Sequence, residues 1–284
     1  MLNHQDFIKK EFSTRVVGKW ILAGEHTVLR GGKAVALPYD KSSLELRFKP
    51  NAHFEELKIY PIEAAEYVMT LIEKLRKEFS FELKLSGQLI IDNQIPIRSG
   101  LGSSAALCVS LVKWFSTLKN NFSEDELIKV AIKLEDLFHG KSSGLDVSVV
   151  FFEKPLLFSK EGYQFLPQLE NKSNFRFHHT GEYSSTKDCI EDVNQFTEKN
   201  PKASKELDKQ MATAVDIITQ GLSEGLNKKK IVEGINLAQN CFESWQLVSS
   251  RAKKMIKKLK EDGALAVKMT GAGKGGYLVS FWDN

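Results

Sequence analysis

Cysteine is scarce in this 284-residue sequence, and long apolar runs are missing. Its three cysteines, Cys108, Cys189 and Cys241, are an odd number set far apart. They offer neither a disulfide framework nor metal-ligand spacing. No stretch approaches the roughly 18 apolar residues that a membrane span requires. The opening "MLNHQDFIKKEFSTR" lacks the basic-then-apolar layout of a secretory leader. Internal repeats and low-complexity segments are absent too. These absences exclude a disulfide-stapled scaffold, a membrane-spanning protein and a solenoid, and make the cytoplasm the expected location.

What is present suits a soluble globular chain long enough for two domains: 42% apolar and 27% charged residues. The net charge is +4, with the basic excess in the last third, in "NKKK" (227–230) and "RAKKMIKKLKED" (251–262). The second run keeps Met255, Ile256 and Leu259 among its lysines, as a helix with one solvated face does. Nucleic-acid binders concentrate basic charge more strongly, so neither nucleic acid nor membrane is expected as a partner. A surface that attracts an anionic small molecule fits the same surplus.

The hydrophobic pattern alternates between strand and helix. "RVVGKWILAG" and "GGKAVALPYD" are β-rich runs around a polar turn, "EHTVLR", and "SSLELRF" has the period of a half-buried strand. Residues 62–79 repeat at helical spacing through Ala65, Met69, Ile72 and Leu75, and "FELKLSGQLII" returns to alternation. A helix then carries Leu107, Leu111, Phe115 and Leu118 on one stripe. "SEDE" (123–126) has the form of a capping box that starts another. "LDVSVVFFEKPLLF" and "NFRFHHTG" read as strands. From "STKDCIEDVNQF" to "KKLKEDG" the chain reads as helical, before two closing strands around a glycine turn. The expectation is an α+β fold in two lobes, with a boundary near 170.

"PIRSGLGSSAALCVSLVKWF" (96–115) places a bare backbone where a strand hands over to a helix. The first turn of a helix has unpaired N–H groups and the positive end of the macrodipole, which together attract phosphate. Gly100 and Gly102 let the backbone bend without Cβ clashes, and Ser103 and Ser104 add hydroxyl groups. Taken alone, the segment reads equally well as a tight strand–helix connection. Two familiar nucleotide fingerprints are chance fits. "GAGKGG" (271–276) leads into a strand rather than a helix, and "HGKS" (139–142) has Glu135 where the first glycine of a P-loop belongs.

Three further segments weigh on the choice. "GKWILAGEHTVLRGGKAVA" (18–36) sets Lys19, Glu25 and His26 at a strand end and the loop after it. In "EDLFHGKSSGLDVSVV" (135–150), the stripe Ile128, Ile132, Glu135, His139 puts a carboxylate in line with apolar positions, where it needs a partner or a cation. "VKMTGAGKGGYLVSF" (267–281) adds a second glycine cluster. Together with "PIRSGLGSSAA", the segments "GKWILAGEH" and "KMTGAGKGG" resemble, in order, the three motifs of the GHMP kinase superfamily, over nearly the whole chain. "GEHTVLRGGKAVA", "E…HGKSSGLD" and "HHTGEYSSTKDCI" (178–190) look most like the mevalonate kinases within it.

The resemblance implies an N-terminal lobe (1–170) like the second domain of ribosomal protein S5, a ferredoxin-like C-terminal lobe (171–284), and ATP and Mg²⁺ as cofactors. It implies transfer of the γ-phosphoryl group to the primary alcohol of mevalonate, a step in isoprenoid precursor synthesis. Asp146 would be the catalytic base and Lys19 its neighbouring cation. Residues Arg98, Ser99, Gly100, Leu101, Gly102, Ser103 and Ser104 would hold the nucleotide, and Ser104 with Glu135 would hold the metal. Glu25, His26, Thr186, Thr270, Gly271, Ala272 and Gly273 would meet the substrate, and a second copy of the chain is the candidate partner. Another acceptor of the superfamily (phosphomevalonate, a sugar or homoserine) and a silent nucleotide-binding regulator are the alternatives. The sequence departs from the family pattern at Arg98-Ser99, Lys141-Ser142 and Lys274.

Overall fold

A computed structural model describes residues 8–119, 122–140, 142–169 and 174–283. The chain forms two compact units and passes between them more than once. The first unit holds the residues up to Gly18, then Asp40–Pro96 and Gly102–Phe151; the second holds Lys19–Tyr39, Ile97–Leu101 and everything from Phe152 onward. Strands β1 (Phe12–Ala23) and β2 (Ala34–Pro50) therefore each contribute residues to both units. The expected boundary at 170/171 lies outside the described residues.

In the first unit, the later half of β2 pairs antiparallel with β4 (Gly87–Asn93), from Leu44 opposite Asn93 to Pro50 opposite Gly87. On the other side of β4, β3 (Leu57–Tyr60) runs parallel. Four helices complete the unit: α1 (Ala65–Glu78), α2 (Ser103–Leu118), α3 (Glu124–His139) and α4 (Leu145–Phe152). Leu44, Leu46 and Phe48 alternate into the core, and Phe48 meets Trp114 of α2 with ring centroids 4.7 Å apart. The expected capping box begins α3: the Ser123 hydroxyl accepts from Glu126 N–H while the Glu126 carboxylate accepts from Ser123 N–H.

Two expectations are corrected here. The run "LDVSVVFF" is the helix α4, not a strand. Its β-branched residues suggest extension, but Leu145, Val147, Val149 and Val150 are all buried, so no solvated face imposes a period that could be read. On α1 the buried stripe runs through Val68, Leu71, Ile72 and Leu75, leaving Met69 38% exposed. The polar turn "EHTVLR" contains a short 3-10 turn at Thr27–Arg30.

In the second unit, Ala34–Ala36 of β2 pair antiparallel with β5 (Leu156–Ser159), which pairs with β6 (Gly162–Phe165). A separate antiparallel sheet has the order β7–β9–β8, built from Phe175–His179, Tyr277–Phe281 and Ala266–Thr270. The expected helical stretch is α5 (Thr186–Lys199), α6 (Pro201–Ser223), α7 (Lys228–Ser244) and α8 (Ser250–Glu261). Helices α6 and α7 pack on each other, with Met211, Val215 and Ile218 of α6 and Ile231, Ile235 and Ala238 of α7 buried. The run 251–262 forms α8 as read, with Ile256 buried and its lysines outside. The fold is α+β, as expected.

Candidate active site

The glycine-rich segment is divided between the units, so each unit presents its own cluster. In the first unit, α2 starts at Gly102, a buried glycine in the left-handed region with φ 82°. Helices α3, α5, α7 and α8 each begin with a side chain that accepts from the first turn. No side chain caps α2, nor α1 or α6. The first-turn N–H groups of α2 are left to something other than a cap, which suits an anion. Asn93 Nδ2 donates to Ser103 Oγ at 2.8 Å, anchoring the first hydroxyl of that turn to the end of β4.

Glu135 of α3 is 2% exposed and accepts from the Ser142 hydroxyl at 2.5 Å. Burial above all, and the Glu135 charge in addition, raise the pKa values of Cys108 on α2 and Tyr67 on α1. Ser142 N–H donates to Asp136 Oδ1 at 2.6 Å, and Gly144 N–H donates to Ser142 Oγ at 3.1 Å. Ser142 stands where the resemblance implies proline, and hydrogen bonds hold the loop there instead; Lys141 lies outside the described residues. Asp146, half-buried, stands in the first turn of α4, where the helix dipole favours a carboxylate.

The second unit holds the first motif from Lys19 onward, residues 97–101 of the second and all of the third. Lys19 N–H donates to Leu101 O at 2.9 Å. The Thr270 hydroxyl donates to Ile21 O and accepts from Ile21 N–H, at 3.0 and 3.1 Å, so its side chain is spent on joining β8 to β1. Gly100 meets Gly271 backbone to backbone: a Cβ on Gly100 would lie 3.0 Å from Gly271 Cα, and one on Gly271 would lie 2.9 Å from Gly100 Cα. Both have positive φ, so the two motifs need glycine for conformation and for approach. The Leu101 side chain is fully buried, and Ser99 is buried with its hydroxyl accepting from Leu101 N–H at 3.3 Å. Arg98 is exposed, with φ 56°.

His26 is buried, and its Nε2 lies 2.8 Å from Ala272 O. A carbonyl only accepts, so Nε2 carries the proton and Nδ1 of the neutral ring is an acceptor. Burial lowers the His26 pKa to about 4, outweighing the carbonyl bond that raises it. Phe242 and Trp245 approach the ring edge-on at 5.8 and 5.5 Å. Glu25 pairs with Lys268, Oε1 to Nζ 2.5 Å, and both are buried. Burial raises the Glu25 carboxyl and lowers the Lys268 ammonium, against the pull of each on the other. The charge of Lys19, itself 2% exposed, reaches both.

Thr186 opens α5 and is exposed, one residue after the cap Ser185. The same helix reaches the glycine turn through Cys189, whose thiol donates to Gly273 O at 3.5 Å. Lys274, the departure within the third motif, has φ 57° and pairs with Asp192 of α5 at 2.5 Å. The bulky cation is thus drawn to α5. Sequence reasoning gave Lys268 no role, because a lysine inside a strand pattern looks like a surface residue; only the matched carboxylate at 25 could have hinted otherwise. Among the described residues no group of three or more His, Cys, Asp or Glu could hold a metal. No helix among them is long and apolar enough to cross a membrane.

Two family descriptions match the chain: "GHMP kinases N terminal domain" over residues 66–154 and "GHMP kinases C terminal" over residues 232–283. A mevalonate kinase of Pyrococcus abyssi is 29% identical over 92% of this chain and 85% of its own length. The crystal structure of L. major mevalonate kinase in complex with R-mevalonate superposes with a TM-score of 0.80 at 22% identity, covering 98% of this chain and 89% of that one. Lactococcus lactis galactokinase complexed with galactose gives 0.78 at 18% identity, over 96% and 86%. The same fold therefore holds mevalonate in one of these structures and galactose in another.

Proposed function

Because the chain belongs to the GHMP kinases, we propose that it transfers the γ-phosphoryl group of ATP to the primary alcohol of mevalonate, giving 5-phosphomevalonate. The observation that carries the acceptor is the 29% identity to a mevalonate kinase along 92% of the chain. A shared fold alone would leave it open.

In this reading Asp146 accepts the proton of the alcohol as its oxygen attacks phosphorus, and Lys19 stabilises negative charge developing on the transferring group. The uncapped first turn of α2 and the segment Arg98–Ser104 bind the phosphates. Glu25, His26, Thr186 and the turn Thr270–Gly273 bind the acceptor. His26, neutral with a free acceptor role at Nδ1, suits a hydroxyl better than a carboxylate. Ser104 and Glu135 would hold Mg²⁺. One buried carboxylate and one hydroxyl are hard oxygen donors, too few for an all-protein cage but fitting for a metal that arrives on a nucleotide. When bound, that metal would neutralise phosphate charge. The Ser142 hydroxyl orients the Glu135 carboxylate for this task. The same reading assigns residues 1–170 to the nucleotide-binding domain and 171–284 to the C-terminal domain, with a cytoplasmic location and a homodimer.

A coupled assay of ADP release tests the proposal with mevalonate and phosphomevalonate offered separately. Turnover with mevalonate is expected. Activity with phosphomevalonate and none with mevalonate would transfer the enzyme to another acceptor, and ATP binding without turnover on any acceptor would make it a regulator.

A further inference from the structure

A lysine with no exposed surface is rare, and each of its ammonium protons needs an acceptor. Lys268 of β8 is 0% exposed and finds three: Glu25 Oε1 at 2.5 Å, Ile21 O at 3.3 Å, and Met269 O. The Phe242 ring lies 5.2 Å from the same nitrogen, its cation-attracting face adding to the site. With its donors committed and no solvent near, this ammonium is unsuited to moving protons.

The acceptors share a position in the chain. Ile21 lies near the end of β1, and Glu25 opens the turn that follows it. His26 comes next, at φ 61°, a conformation that a histidine keeps when its surroundings hold it there. Phe242 lies beneath Lys268 and beside His26, so one aromatic side chain touches both ends of the arrangement. Glu25 Oε2 is buried with no hydrogen-bond partner among the described residues. A buried ion pair adds little net stability relative to apolar residues of the same volume, so stability alone gives weak reason for this one. Orientation gives a better reason.

We propose that Lys268 is a positioning residue: its ammonium holds Glu25 Oε1 and the end of β1, fixing the Glu25–His26 turn so that Glu25 Oε2 and His26 Nδ1 are presented to hydroxyl groups of the acceptor. The proposal rests on the acceptor-binding role assigned above to Glu25 and His26. It accounts for why two residues of the first motif are built on a cation from the third.

The test compares wild-type enzyme with Lys268→Met in two measurements. The first is steady-state kinetics, run well below the unfolding midpoint of each protein. The KM for mevalonate is expected to rise about tenfold or more while the KM for ATP stays within about twofold. A merely structural role would leave both KM values alone and lower kcat in proportion to the folded fraction. The second is nitrogen-15 NMR of the His26 Nε2–H, assigned with His26→Gln. Slow exchange in the wild type, from the bond to Ala272 O, is expected to be lost in Lys268→Met. An unchanged mevalonate KM with a retained slow proton overturns the proposal. Should Lys268→Met not fold, Lys268→Gln keeps two donors for the same acceptors and is read by the same measurements. Should the wild type not phosphorylate mevalonate at all, the acceptor assignment fails, and the exchange measurement still decides whether Lys268 holds the turn.

Discussion

His26 carries no charge at neutral pH, because burial lowers its pKa to about 4 against an unfolded value near 6.5. As pH falls from 6.5 the unfolded chain takes up a proton that the native ring refuses, so stability is full above that value and declines below it. Between pH 7 and pH 5 this one group should remove about 2 kcal/mol. Urea unfolding at the two pH values measures the loss, and His26→Gln should shrink it by that amount; an equal loss in the variant would mean the ring is protonated when folded. Asp146 allows a sharper kinetic prediction. Asp146→Asn keeps the shape of the side chain and removes its basicity, so kcat should fall by about a thousandfold or more while ATP binds nearly as well. Turnover close to wild type would remove Asp146 from its role. Two of the departures from the family pattern are absorbed locally, Lys274 by Asp192 and Ser142 by Glu135.

Helix starts show how local sequence and tertiary contact divide the work among elements. The capping box at Ser123 satisfies two N–H groups within four residues, so Ser123→Ala should cost about 1 kcal/mol in unfolding free energy and leave the kinetics unchanged. Gly100 is the opposite case. Alanine there meets a φ of 79° and the backbone of Gly271, so Gly100→Ala should cost at least about 1–2 kcal/mol from backbone conformation alone and also raise the KM for ATP. If both variants behaved alike in kinetics, the glycine loop would be only a connector. The same contrast explains what pattern reading found. The Ser123 start was visible because its signal is contained in four residues. Helix α4 was read as strand because its partners surround it on every side and erase the period.

For the whole molecule, binding and folding are linked. A ligand held only by the native state at a hundred times its dissociation constant adds about 2.7 kcal/mol to stability. ATP with Mg²⁺ should therefore raise the thermal unfolding midpoint, and removing Mg²⁺ with a chelator should reverse most of the rise; no response to either would contradict the nucleotide assignment. The site proposed here rests largely on residue order, because the glycines at 100 and 102, the Lys19, Glu25 and His26 group and the Glu135–Asp146 run each lie within a short segment. The α+β class and the helical stretch from α5 to α8 were open to the same reading. What amino-acid order alone determined is thus what short-range rules can encode: turn chemistry, capping, periodicity and the residue types a phosphoryl transfer needs. Tertiary structure alone decided that β1 and β2 each serve two units, that Gly100 lies against Gly271, and that Lys268 is buried on Glu25 rather than solvated. Such facts join residues more than a hundred positions apart, and the burial that gives a charge or a glycine its meaning exists only once those distant segments have met.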